Sequence, residues 1–195
     1  MAITTLNNRA INRSDTAASG QLWTATSATA SDFQAVSAGK ILQVVQTEVT
    51  AATASTTSAS FVDITGMTVS ITPAATSSKI MVIVNVGQGH ESENSAQGKI
   101  VRLISGGSDV DLMIGDAASS RPRSTFHFRT PGSAVLQTQS ACIIDSPSTT
   151  TSTSYRLQWR RSEAGTMYLN RSFTDTDNAS HPRGASTITV MEIGA

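Results

Sequence analysis

Residues 154–160 read Ser-Tyr-Arg-Leu-Gln-Trp-Arg. Tyr155, Leu157 and Trp159 fall on one side of an extended chain and Arg156, Gln158 and Arg160 on the other, because successive side chains of a strand point to opposite faces. This is the pattern of a strand packed on one side and wet on the other. The same period returns at Phe126 and Phe128 against Thr125 and His127, and at Ile188 and Val190 against Thr189 and Met191. The run 80–84 (IMVIV) is continuous instead, and reads as a strand covered on both faces.

Outward from these stretches, short apolar runs alternate with turn residues at the spacing of roughly 8 to 12 residues expected of all-β sandwiches. Strands are predicted at 41–48, 60–64, 67–72, 79–86, 99–105, 109–114, 123–129, 140–145, 154–160, 166–171 and 186–193. Gly66, Gly106 with Gly107, Pro131 with Gly132, and Gly165 are read as the reversals. No stretch sustains an amphipathic helix of three turns. Two uncharged low-complexity connectors, 50–58 (TAATASTTS) and 146–154 (SPSTTTSTS), read as loops or edge strands.

Composition agrees with an all-β chain. Ser and Thr make up 55 of 195 residues, and both favour strands and turns over helix interiors. Lys plus Arg equals Asp plus Glu at 14 each, and charged residues are 14% of the chain, against about 25% in an average domain. A surface built to bind a polyanion is therefore not expected, and neither is nucleic acid as a partner. Leu, Ile, Val and Phe number 40, a thin core that contacts between subunits would supplement. The longest apolar run is five residues, while about 20 cross a bilayer, so no membrane insertion is expected. The opening MAITTLNNRA lacks the basic-then-apolar order of a secretory leader. A soluble protein made inside a cell is the expectation.

Residues 1–39 differ from the rest. They are rich in Thr, Ser, Ala and Asn, and the isolated Leu6, Ile11, Leu22, Trp23 and Phe33 hold no period. Such a segment buries too little surface to fold alone. It is read as an extended N-terminal docking arm, with those five residues as its grip and a helical turn opening at Ser31 and Asp32. Residues 40–195 are read as the sandwich domain.

The chemistry-bearing residues are sparse. No G-x-S-x-G elbow is present, and Cys142, inside ACII, reads as a small buried hydrophobe. His90, His127 and His181 share no zinc spacing. Gly89–Glu93 (GHESE) could offer His90, Glu91 and Glu93 to a cation, but a polar hairpin tip explains it as well. Asp175, Thr176, Asp177 and Asn178 look like the opening of a calcium loop without its glycine and distal glutamate. Arg121, Arg123 and Arg129, with Tyr155, Arg156, Trp159, Arg160 and Arg161, are the nearest thing to a basic aromatic patch, and edge protection or an intersubunit salt bridge to Asp116 or Asp145 explains them more economically. No enzyme, metal or cofactor is expected.

Five ordered blocks, GKILQVVQTEVT, SFVDITGMTVSITPAATSSKIMVIVNV, IGDAASSRPRSTF, GTMYLNRSFTDTD and STITVMEI, together resemble a family of bacteriophage virion proteins of marine and cyanobacterial phages, of tail-fibre or appendage type. The resemblance spans residues 39–193. It implies a jelly-roll-like antiparallel β-sandwich that assembles as a homotrimer, projects from the particle and meets other virion proteins through the arm. It carries no catalytic residue. An attachment protein of this kind would read a host surface glycan with an aromatic face and short polar groups on loops. Tyr168, Asn170, Arg171, Asp175 and Asp177, with His90 and Glu91, are the candidates, against a structural reading in which Tyr168 and Leu169 alternate in and out of the core and Arg171 pairs with Asp175. The rival functions are a capsid decoration protein that staples shell subunits, and a depolymerising tailspike, for which 14 scattered acids offer no clustered carboxylates.

Overall fold

The computed structural model describes residues 21–25, 31–35, 39–91 and 95–194. Two compact units divide the chain at residues 39 and 40. In the first, β1 (Gln21–Ala25) and β2 (Ser31–Ala35) pair antiparallel, with Trp23 opposite Phe33 and Leu22 opposite Gln34. The helical turn expected at Ser31 and Asp32 is therefore a strand: pairing with β1 satisfies the backbone that a cap would have served. Leu6 and Ile11 lie outside the described residues.

The second unit is all-β, with no helix among the described residues. Its strands are β3 (Ile41–Val49), β4 (Ser55–Thr56), β5 (Val62–Ile71), β6 (Lys79–His90), β7 (Ser95–Ile104), β8 (Asp109–Leu112), β9 (Phe126–Arg129), β10 (Gln137–Asp145), β11 (Thr153–Arg161), β12 (Met167–Leu169) and β13 (Ser186–Ile193). They form two antiparallel sheets. One is built on β6, which pairs β10 over residues 80–88, β13 over 79–85 and β12 over 88–90, with β3 beyond β13 and β4 beyond β12. The other runs β5-β11-β7-β8, with β9 also on β7.

The inner faces meet as the alternation requires. Tyr155, Leu157 and Trp159 of β11 are at most 1% exposed, as are Ile80, Val82 and Val84 of β6 and Ile188 and Val190 of β13. Each such side chain contributes about 1.5–3 kcal/mol of burial. Glu192 also faces inward and is fully buried. Its carboxylate accepts from Gln43 Nε2 at 2.6 Å and from the Ala74 amide at 2.7 Å, fastening the turn after β5 to the sheet. Burial alone would push this carboxyl up, but the hydrogen bonds outweigh it and hold it below its ordinary value.

Three readings of the sequence need correction. Gly66 is not a reversal: 60–64 and 67–72 belong to one strand, β5, and residues 64–67 bulge opposite Leu157 alone, with Gly66 at a φ of 87°. Cys142 is exposed rather than buried, because it sits on the outward parity of β10. In the run 80–84 only Ile80, Val82 and Val84 are covered fully, whereas Met81 and Ile83 point to the outer face and stay half-buried. By contrast, Gly106 (φ 81°) and Gly165 (φ 116°) do stand at turns, between β7 and β8 and between β11 and β12.

Candidate functional site

The short strand β12 docks on the far end of β6, with Met167 opposite His90, Tyr168 opposite Gly89 and Leu169 opposite Gln88. Met167 and Leu169 fill the core, so Tyr168 between them faces outward. This joins two stretches almost eighty residues apart in sequence. A Cβ on Gly89 would lie 2.7 Å from Ser172 Cα and closer still to the Arg171 carbonyl, so only glycine lets the segment after β12 pass this close.

Asn170 ends the strand. Its φ is 61°, a left-handed conformation that asparagine tolerates better than most residues. Its side chain is fully buried: Nδ2 donates to the Val49 and Ala51 carbonyls at 2.5 and 3.2 Å, and Oδ1 accepts from Ser186 Oγ at 2.5 Å. Its amide and carbonyl bond Gly87 and Gly184. No ligand on the surface reaches it; it positions the loop.

Beyond Asn170 the Arg171 guanidinium lies over the Tyr168 ring, 3.4 Å from its centroid, and Phe173 packs against the same ring at 5.9 Å. Arg171 Nη1 also donates to the Ser172 and Phe173 carbonyls at 3.1 Å each, so the cation is fixed rather than free to sweep. Arg171 and Arg183 face each other across an isolated bridge, a repulsive pairing that Asp175 relieves. Its carboxylate takes a two-pronged contact from Arg183, at 3.1 and 2.7 Å, and lies 3.8 Å from Arg171 Nε. Arg183 above all holds the Asp175 carboxyl below its usual range.

Asp175, Thr176, Asp177, Asn178, His181 and Arg183 line an open cleft of about 400 Å³. Thr176 Oγ1 and His181 Nδ1 are 2.7 Å apart, and the Asn178 side chain accepts from the Ser180 amide and hydroxyl at 2.9 and 2.8 Å. Most polar atoms of the loop are thus placed before any ligand arrives. Among the described residues, no three His, Cys, Asp or Glu side chains stand together as a metal site.

His90 is 2% exposed. Its Nδ1 lies 2.9 Å from the Glu91 carbonyl, to which it donates, and its ring is buried beside a small cavity that Ser95, Arg161 and Glu163 also border. Burial lowers its pKa. The structure therefore gathers Tyr168, Arg171, Asp175 and Asp177 on one loop surface and buries Asn170, whereas His90 is buried against Thr130 beside a different cavity and Glu91 stands half-buried just past β6.

Sequence reasoning missed Phe173, His181 and Arg183. The segment HPRG (181–184) held the only hint, a cation beside proline and glycine turn residues, and nothing local pointed it at Asp175. Of the arginines in the basic aromatic patch, Arg156 binds Asp63 and Asp109, Arg160 stands over Phe61, and Arg123 and Arg161 donate to backbone carbonyls, while the carboxylate of Asp145 is held by Arg102 instead.

No family model matches the chain, and no curated protein matches it either. A solved structure described as that of infectious bursal disease virus, Gx strain, is similar over 86% of this chain at 12% identity and a TM-score of 0.38. The match takes in 44% of that neighbour, so the chain spans less than half its length. A likeness at this level carries no argument about function.

Proposed function

We propose that the chain is a structural subunit of a bacteriophage particle, of tail-fibre or appendage type, that touches the host through the surface carrying Tyr168, Arg171, Asp175 and Asp177. In this reading, residues 1–39 dock the subunit on other virion proteins, copies associate as a homotrimer, and the particle is assembled in the host cytoplasm. No reaction is assigned to it.

The observation that carries the reading is a preorganised aromatic and ionic surface beside an open polar cleft on a sandwich of zero net charge. The ring itself is capped by Arg171, so what it offers a sugar is the fixed cation and the polar groups of the cleft beside it, which suit the hydroxyls around a sugar's rim. The five sequence blocks that resemble phage appendage proteins support it independently.

The test uses purified full-length protein added to host cells before the phage. Adsorption should fall as protein is added, and Asp177→Ala or Tyr168→Ala should weaken the competition while leaving the melting temperature within a few degrees. No competition by folded wild-type protein overturns host contact.

A further inference from the structure

The two outer faces of the sandwich are unlike. Outside the β5-β11-β7-β8 sheet, Lys99 pairs with Asp111 at 2.7 Å, Arg156 pairs with Asp63 and Asp109, and Lys99 and Arg160 stand over Phe61. That face is charged and solvated. Outside the β3-β13-β6-β10 sheet, Val44, Met191, Met81 and Ile144 lie directly opposite one another in register, forming one apolar row across four strands. In the next row Ile83 and Cys142 continue it, while Gln46 and Thr189 on the other two strands are polar and hydrogen-bond each other. Val44 is 55% and Ile144 60% exposed, and neither row contains a charged residue.

We propose that a second copy of this chain covers this face, with Val44, Met81, Ile144 and Met191 at the centre of the contact. Four strands about 4.8 Å apart and eight residues at about 3.3 Å give a footprint of roughly 500 Å², an apolar centre with polar rows around it that carry Glu48 and Lys79 at the rim. Two such faces bury roughly 1,000 Å², the size at which specific interfaces begin. The order across the row is branched aliphatic, methionine, methionine, branched aliphatic, and so reads nearly the same from either edge. A two-fold operation would set Val44 against the partner's Ile144 and methionine against methionine, the self-complementarity an isologous contact requires, and methionine adapts to what remains. The continuous apolar run at 80–84, covered on only one side in a single chain, is then covered on both.

The proposal rests on the reading of the chain as one subunit among like copies, not on where the assembly sits. Cys142, the single cysteine, lies within the contact and reports on it. Full-length protein should sediment as an oligomer and monomerise on dilution, and Cys142 should react with a thiol reagent on the order of tenfold more slowly in the oligomer than in the monomer. Ile144→Lys should abolish association and free the thiol, with Val44→Lys as the second variant should the first misfold; the wild-type dilution series needs neither. A monomer at every concentration overturns the proposal. So does an oligomer whose Cys142 reacts freely, or a monomer whose Cys142 is protected by another part of its own chain. A dimer with Cys142 protected supports the face and counts against the homotrimer, whereas a trimer with Cys142 protected keeps the homotrimer and overturns the two-fold contact.

Discussion

Tyr155 Oη donates a 2.7 Å hydrogen bond to Asp145 Oδ2, so a residue of the β5-β11-β7-β8 sheet holds the last residue of β10 in the other. Arg102 of β7 grips the same carboxylate through Nη1 at 2.8 and 3.0 Å. Burial, then the carboxylate beside it, pushes the Tyr155 phenol far up, which favours its protonated, donating form. The three residues pin the two sheets together.

Tyr155→Phe should therefore cost about 1.5–3 kcal/mol, the range for a hydrogen bond to a charged partner. Asp145→Ala should cost about 3–5 kcal/mol, because it strands Arg102 and the phenol together. Urea unfolding of the two variants and their double mutant checks this. Additive losses would show that the contact is not coupled.

Asn170→Gly keeps the left-handed backbone accessible but removes the bonds to Val49, Ala51 and Ser186, whereas Asn170→Ala loses the bonds and strains the backbone as well. Both should destabilise by at least about 2 kcal/mol, with alanine the worse. Hydrogen exchange should quicken at the Gly184 amide, which bonds the Asn170 carbonyl. Alanine tolerated as well as glycine would contradict the assigned role.

Acid should weaken the fold in two steps. The folded chain resists protonation at His90, so below about pH 6.5 the unfolded chain binds the extra proton and stability falls. Glu192 is depressed in the fold, so its stabilisation is complete above its unfolded value near 4.3 and is lost as pH falls through the lower folded value. Melting temperatures across pH check both steps, and His90→Gln should remove the first. A melting temperature that rises between pH 7 and 5 would contradict the sign.

Gly89→Ala should displace the segment after β12, since the new methyl meets the backbone of Arg171 and Ser172 and not a flexible side-chain end. Disturbed Tyr168 fluorescence and lost host binding are the expected outcome. Unchanged binding would separate that segment from recognition.

The sequence made the sandwich legible through Tyr155, Leu157 and Trp159, whose alternation is a local consequence of the pleat. It could not tell that Gly66 bulges, because a positive-φ glycine serves a bulge and a reversal alike, and only β11 alongside decides. The exposure of Cys142 escapes local reading for a related reason: an apolar run does not say which parity faces out. At the site, Tyr168, Arg171 and Asp175 were within reach of local reading. The burial of Asn170 depends on Val49, Ala51 and Ser186, and the pairing of Asp175 with Arg183 on a loop closing, so neither was visible in the residues nearby.

The most direct test of the account is to label intact phage particles with gold-tagged antibody raised against residues 40–195 and to record the label by electron microscopy. The account predicts gold at the tail periphery. Gold spread over the shell would contradict the attachment role and make the chain a decoration protein, and particles without label would contradict a place in the virion altogether.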